Sequence, residues 1–201
     1  MAEIPLGLLI GGACVLFAIA VFTVLVAVAI RSSRRISLAW AEAGRRLGLE
    51  YTQKTFPGLR GRLEGIEVEA DVVTKSRSGP GHGSGTSRGR AYTRVRASLP
   101  IEPGCQVICR KQPCDIKHDW QAHSTGNDDF DQVYEFFAPH TAVLPKSVCD
   151  ALLAAEVPVH VINRVVVWSH LRVVDDPAVL EKALRTCANI AAAFNSKSLL
   201  D

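Results

Sequence analysis

The residues best suited to chemistry fall in the second half of the chain, beginning with Cys105, Cys109, Cys114, His118 and His123. Thiolate and imidazole are ligands of tetrahedral zinc, and structural zinc sites bring ligands in pairs two to four residues apart on a tight knuckle. Here three and four residues separate the successive cysteines, and no second paired motif follows. The series reads as separate thiols, with Cys109 turned into a core from a strand, and no metal is expected. A thiol nucleophile needs a base and an orienting group brought beside it by the fold. Cys149 or Cys114, with His140, His118 or His160, supplies the raw material for a thiol- or His-dependent hydrolase, which stands as the alternative function. Cys149 shares the apolar side of a short helix with Val148 and Leu152, where a buried structural thiol is the ordinary outcome. No catalytic and no cofactor-binding residue is assigned.

Two other segments invite a ligand. The run from Gly79 to Ser87 is rich in glycine and serine, but a phosphate-binding loop requires a lysine before its Ser or Thr and a helix behind it. A strand follows instead, so residues 76–90 read as a mobile, solvent-exposed loop. The acidic stretch from Thr125 to Asp131 offers Asp128, Asp129 and Asp131, a fragment of the alternating oxygen ligands that calcium would need. It reads better as a turn in which Asx side chains cap backbone groups and Phe130 is a buried plug.

Gly126-x-x-x-Phe130-Asp131, the apolar stretch Val133–Phe137, Leu144-Pro145 and a helix bearing Leu152-Leu153 together resemble a family of uncharacterised bacterial membrane-anchored proteins with a Gly-Asp-x-x-Phe-Asp box. The resemblance spans roughly residues 38–195. Asn127 stands where that box usually has Asp. What it implies is fold and topology, since the family has no assigned activity.

The elements that must hold these residues begin with an anchor. No charged residue lies between Glu3 and Arg31. As a helix, residues 6–30 would rise about 37 Å, enough to cross about 30 Å of hydrocarbon with some tilt. A cleaved signal peptide would have a basic start and a shorter apolar core, so the segment is expected to be retained as a single transmembrane helix. Arg31, Arg34 and Arg35 follow it directly, which by the positive-inside rule places the rest of the chain in the cytoplasm and residues 1–5 outside. The localisation expected is thus the inner or plasma membrane. Trp40 is either an interfacial anchor or a core residue. Gly7 and Gly11, with Gly12, form a small-residue face on which two such helices could pair.

Residues 31–50 read as a basic flank followed by a separate linker helix from Ser37, with Leu38, Ala41, Ala43 and Leu47 on its packed face and Gly48 as its stop. Residues 51–201 read as one soluble domain. Apolar and polar residues alternate from Leu59 to Val72 about a Glu64-Gly65 turn and again from Tyr92 to Leu99. Further strands are predicted at 106–109, 133–137, 157–162 and 165–168, with Asn163-Arg164 turning the last pair. A helix is predicted at 145–154. A terminal helix starts at Asp175 or Asp176 and carries Val179, Leu180, Ala183, Leu184, Cys187, Ile190, Ala191 and Phe194 on one stripe. The fold class is α+β, an antiparallel sheet closed by a C-terminal helix, with a pleckstrin-homology-like arrangement as one architecture.

Charge is divided along the chain. Residues 31–100 hold 14 Lys and Arg against 6 Asp and Glu, and residues 101–201 hold 9 against 13. Nucleic acid is not an expected partner at a net charge of +3, with no aromatic-studded basic groove. The expected partners are the bilayer itself, with anionic headgroups or a protein for the domain, which makes the chain a membrane-tethered interaction or scaffold module.

Overall fold

The computed structural model describes residues 6–75, 89–100, 103–111, 120–139, 143–155 and 157–195, with the backbone alone at 6–16 and at Lys75. The predicted loop at 76–90 therefore lies almost wholly outside the described residues.

One helix, α1, runs unbroken from Leu6 to Leu47. The break expected at the arginine collar is absent. Neither Gly nor Pro occurs between Ala13 and Ala43, and arginine and leucine are good helix formers, so the collar changes the preferred solvent without changing the preferred backbone. Thr23 returns its hydroxyl to the Ile19 carbonyl at 2.8 Å and adds no polar demand of its own. From Ile36 onward the helix becomes one-sided: Ala39, Trp40, Ala43 and Gly44 are buried and Ile36 and Leu47 half-buried, at helical spacing. Leu38, expected on the packed face, is 71% exposed on the other side. At Gly44 a Cβ would lie 2.8 Å from Leu59 Cδ2 and 3.2 Å from the Leu49 carbonyl oxygen, so the glycine permits the close seat of α1 on the sheet.

Nine strands follow: β1 (Glu50–Gln53), β2 (Pro57–Leu63), β3 (Ile66–Lys75), β4 (Arg90–Ser98), β5 (Gln106–Cys109), β6 (Gln121–His123), β7 (Tyr134–Ala138), β8 (Val159–Ile162) and β9 (Val165–Leu171). They pair antiparallel in the order β1-β2-β3-β4-β9-β8-β5-β7-β6. Helix α2 (Asp128–Val133) precedes β7, α3 (Lys146–Leu153) follows it, and α4 (Pro177–Asn195) closes the domain. This is the α+β arrangement expected. The sheet is an open series with β1 and β6 as its described edges, and α4 lies across β3, β4 and β9 instead of plugging a closed barrel.

Alternation fixes which face is covered. Leu59, Val68, Ala70, Val95, Ala97, Val166 and Trp168 turn inward from β2, β3, β4 and β9. They meet Leu180, Leu184, Cys187, Ile190 and Ala191 of α4, with α1 and α3 packed against that helix. Val179 is the exception to the predicted stripe and is partly exposed.

Candidate functional site

Strand β1 runs back along the last turns of α1. At its start the Leu49 N–H donates to the Gly44 carbonyl at 2.8 Å, and at its end Gln53 Nε2 donates to Ser37 Oγ at 3.3 Å. The β1–β2 turn, Lys54 to Phe56, is therefore carried to the level of residues 29–37. Because the strands are antiparallel, β3 ends, β4 begins and β9 ends on that same side. This is the Lys54 end of the sheet. The turns Glu64-Gly65 and Asn163-Arg164 mark the opposite, Glu64 end.

Between α1 and the β1–β2 turn lies a groove of about 400 Å³. Its lining mixes polar residues, Ser32, Ser33, Ser37, Gln53, Lys54 and Thr55, with the apolar Ile36, Phe56, Pro57 and Val173. Ala29, at the close of the apolar run, also lines it, and among the described residues no Asp or Glu does. Phe56 keeps 43% of its surface exposed at the tip of the turn, and Leu171 is similarly uncovered at the end of β9.

The wall at Val173 is held by a tight junction. The Trp40 indole N–H donates to the Val174 carbonyl at 2.8 Å. The buried Thr93 hydroxyl donates to the Arg172 carbonyl at 3.0 Å and accepts from the Val174 N–H at 2.8 Å. Arg172 itself has φ +96°, a conformation costly for any residue with a side chain. Its N–H donates to Ala91 at 2.9 Å and its carbonyl accepts from the Thr93 N–H at 3.1 Å, so both backbone groups are satisfied in that conformation. Trp40 is thus wholly buried in the domain core; of its two readings from sequence, the interfacial anchor is the one corrected.

Charge separates the Lys54 end from the outer sheet face. Arg31, Arg34, Arg35, Lys54, Arg90 and Arg172 are exposed at this end. Its acids are already engaged: Asp175 faces Arg35 at 3.3 Å, and Asp176 caps α4 by accepting from the Ala178 N–H at 2.9 Å. On the outer face, by contrast, cross-strand pairs neutralise Arg94 and Arg96 of β4. Arg94 grips Asp71 through Nε and Nη2 at 3.0 and 2.6 Å, and Arg96 reaches Glu69 at 2.9 Å. The Asp71 carboxylate holds the Arg94 guanidinium above its ordinary range.

The remaining sequence candidates resolve individually. Asn127 caps α2, its Oδ1 accepting from the Phe130 N–H at 3.2 Å, while Gly126 adopts φ +76° and Phe130 is completely buried. Asp131 accepts from the Ser124 hydroxyl at 2.6 Å and from the Thr125 hydroxyl at 2.8 Å. Partial desolvation opposes its ionisation, but these donors outweigh it and the carboxyl titrates below its usual range. The Gly126–Phe130–Asp131 box, expected as a turn, is thus the capped start of helix α2 with Phe130 as its buried plug, beside a cleft of about 520 Å³ that Cys149 also lines. Burial, and then the charges of Asp150 and Asp131, raise the Cys149 thiol, the reverse of what a nucleophile needs. Burial pushes Cys105 and Cys187 up to about 12. His160 is buried, and its Nδ1 accepts from the Cys109 backbone N–H at 3.2 Å, so this pairing involves peptide and not thiol. Among the described residues no group of three or more His, Cys, Asp or Glu is placed to hold a metal ion. Cys114, His118, His140 and the run from Gly79 to Ser87 lie outside the described residues. Gly7 and Gly11 fall one helical turn apart on one side of α1.

Sequence reasoning foresaw the basic collar but missed the groove, because Lys54 and Phe56 lie in a turn whose neighbour is set by the packing of β1 on α1. No family model, no curated protein and no solved structure matches the chain.

Proposed function

We propose that residues 6–30 cross a bilayer and that the domain behind them is a membrane-tethered interaction module on the cytoplasmic side, presenting its Lys54 end to the membrane surface. One observation carries this reading. Nine large apolar side chains of α1, from Phe17 to Ile30, are left uncovered by the domain, Phe17 at 72% exposure. Burying one such side chain is worth about 1.5–3 kcal/mol, so leaving nine in water forfeits on the order of 10 kcal/mol, comparable to the whole stability of a domain. Helix α1 is long and apolar enough to span a membrane, and hydrocarbon is the solvent that answers its pattern. The collar of Arg31, Arg34 and Arg35 supports the cytoplasmic side. The reading includes kinship with the uncharacterised bacterial membrane-anchored family, because Asn127 caps α2 as an Asp would. The raised Cys149 thiol weighs against the hydrolase alternative.

Carbonate extraction of the full-length protein, together with paired C-terminal reporters active on opposite sides of the membrane, tests it. The protein should stay with the membranes and the cytoplasmic reporter alone should be active. Release into the carbonate supernatant would end the tether reading, and activity of the external reporter would reverse the topology.

A further inference from the structure

The groove at the Lys54 end has the composition of a site for a single lipid, and this inference rests on the membrane reading above. We propose that it binds the phosphate headgroup of one anionic phospholipid, whose acyl chains run back along the uncovered apolar half of α1. Three features converge on that occupant.

The first is depth. Ile30 ends the apolar run, and Ser32, Ser33 and Ser37 lie about 3, 4.5 and 10 Å further along a helix rising 1.5 Å per residue. Headgroups occupy the first several ångströms outside the hydrocarbon. Ala29 is thus at acyl depth and the Ser32 and Ser33 hydroxyls are at phosphate depth, with Ser37 at the outer margin of the headgroups.

The second is chemistry. A phosphate diester offers acceptors and a negative charge, and the polar part of the lining offers donors and a cation: the hydroxyls of Ser32, Ser33, Ser37 and Thr55 and the Lys54 ammonium. Ser37 Oγ accepts from Gln53, which leaves its hydroxyl hydrogen free to donate outward. Among the described residues no acid lines the groove, and Asp175 is already paired with Arg35. A soluble anion would find the same donors, but it would gain nothing from the apolar side chains of Ile36, Phe56, Pro57 and Val173. A lipid uses both. The volume of about 400 Å³ falls within the span of small-ligand clefts, roughly 300–1,000 Å³.

The third is continuity. Ala29 lines the groove and adjoins the exposed apolar run that ends at Ile30, so a chain leaving the groove past Ser32 and Ser33 meets hydrocarbon-compatible surface. Phe56, exposed in the turn, adds an uncovered apolar ring at this level.

Full-length protein in nanodiscs containing zwitterionic and phosphatidylglycerol lipids, released and weighed by native mass spectrometry, tests the assignment. The wild type should retain one phosphatidylglycerol in excess of the bilayer ratio. Lys54→Gln should lower that retention about fivefold, the worth of one surface cation near a membrane, and Lys54→Glu should lower it further. Arg62→Gln, an equal loss of charge towards the Glu64 end, should leave it unchanged. Lys54 is exposed, so the fold is not at risk, and an unaltered thermal midpoint checks this. Lipid retained in the bilayer ratio by the wild type, or equal retention by Lys54→Glu, would overturn the site. Displacement by inorganic phosphate would assign the groove to a soluble anion and overturn the lipid. A protein that remains in the nanodisc with no selective lipid would lose only this groove, whereas one that leaves the bilayer loses the tether as well.

Discussion

Residues 17–30 and 36–47 belong to one unbroken helix, yet they meet their surroundings in opposite ways. In the first stretch apolar side chains project on every side and the domain covers none of them. In the second, a single stripe of Ile36, Ala39, Trp40, Ala43 and Leu47 is packed on the sheet, and Glu42, Arg45 and Arg46 share charge-assisted hydrogen bonds on the far side. Those arginines draw the Glu42 carboxyl down to about 2. Backbone geometry is the same in both stretches. The difference is which solvent each pattern can satisfy: all-round apolarity calls for lipid, and a one-sided stripe calls for a protein core.

If the two stretches answer to different solvents, damage to one should leave the other intact. Trp40→Ala removes a fully buried indole and orphans the Val174 carbonyl. A loss of about 3–5 kcal/mol is expected, lowering the domain's thermal midpoint by on the order of 10 °C while carbonate resistance is retained. Phe17→Arg is the converse, costing about 3 kcal/mol near the middle of the span. It should raise the carbonate-soluble fraction and leave the midpoint of the remaining membrane-bound protein unmoved. A variant that changed both readouts equally would collapse the distinction.

Smaller perturbations sharpen the contrast by touching the domain alone. Asn127→Ala should cost about 1 kcal/mol through loss of the α2 cap, and Asn127→Asp should stay within a few tenths, both read by denaturant midpoint. Acid should act likewise. Burial lowers the His160 pKa from its ordinary 6.5, so the unfolded chain binds the proton more readily than the folded one. That contribution is fully present above pH 6.5 and is lost as pH falls towards the lower folded value. The depressed Asp131 adds a second loss of the same sign as pH falls below 3.8 towards its own folded value. His160→Gln should flatten the first of these steps in a stability profile against pH, without altering membrane retention. Least of all, Arg35→Gln should change stability by under about 0.5 kcal/mol, because its pair with Asp175 is exposed.

Local pattern made much of this legible. The turns Glu64-Gly65 and Asn163-Arg164, strand β5 and the C-terminal helix lie where alternation and capping residues put them. Strand β1 was not legible, since Glu50–Gln53 is four residues with no apolar alternation, and β6 is shorter still. Helix α2 hid within an acidic stretch that reads as a turn, although Asn127 followed by acids in the first turn is a helix start. The continuity of α1 was masked because Ser32, Ser33 and the arginines interrupt hydropathy without interrupting helix. The neighbours β4 and β9 are about 70 residues apart in sequence, and local periodicity carries no information about such a pairing. The groove inherits that opacity, as its walls come from three separate parts of the chain.

The uninterrupted α1 leaves no swivel between the lipid-facing stretch and the sheet. In the proposed topology residues 31–47 form a stiff arm of about 25 Å, locked to the domain at Trp40. A lean of about 20°, ordinary for a helix in a bilayer, displaces the tip of that arm by about 9 Å and turns the whole sheet with it. Bilayer thickness and tension would then reach the domain as posture, through a lever in place of a leash.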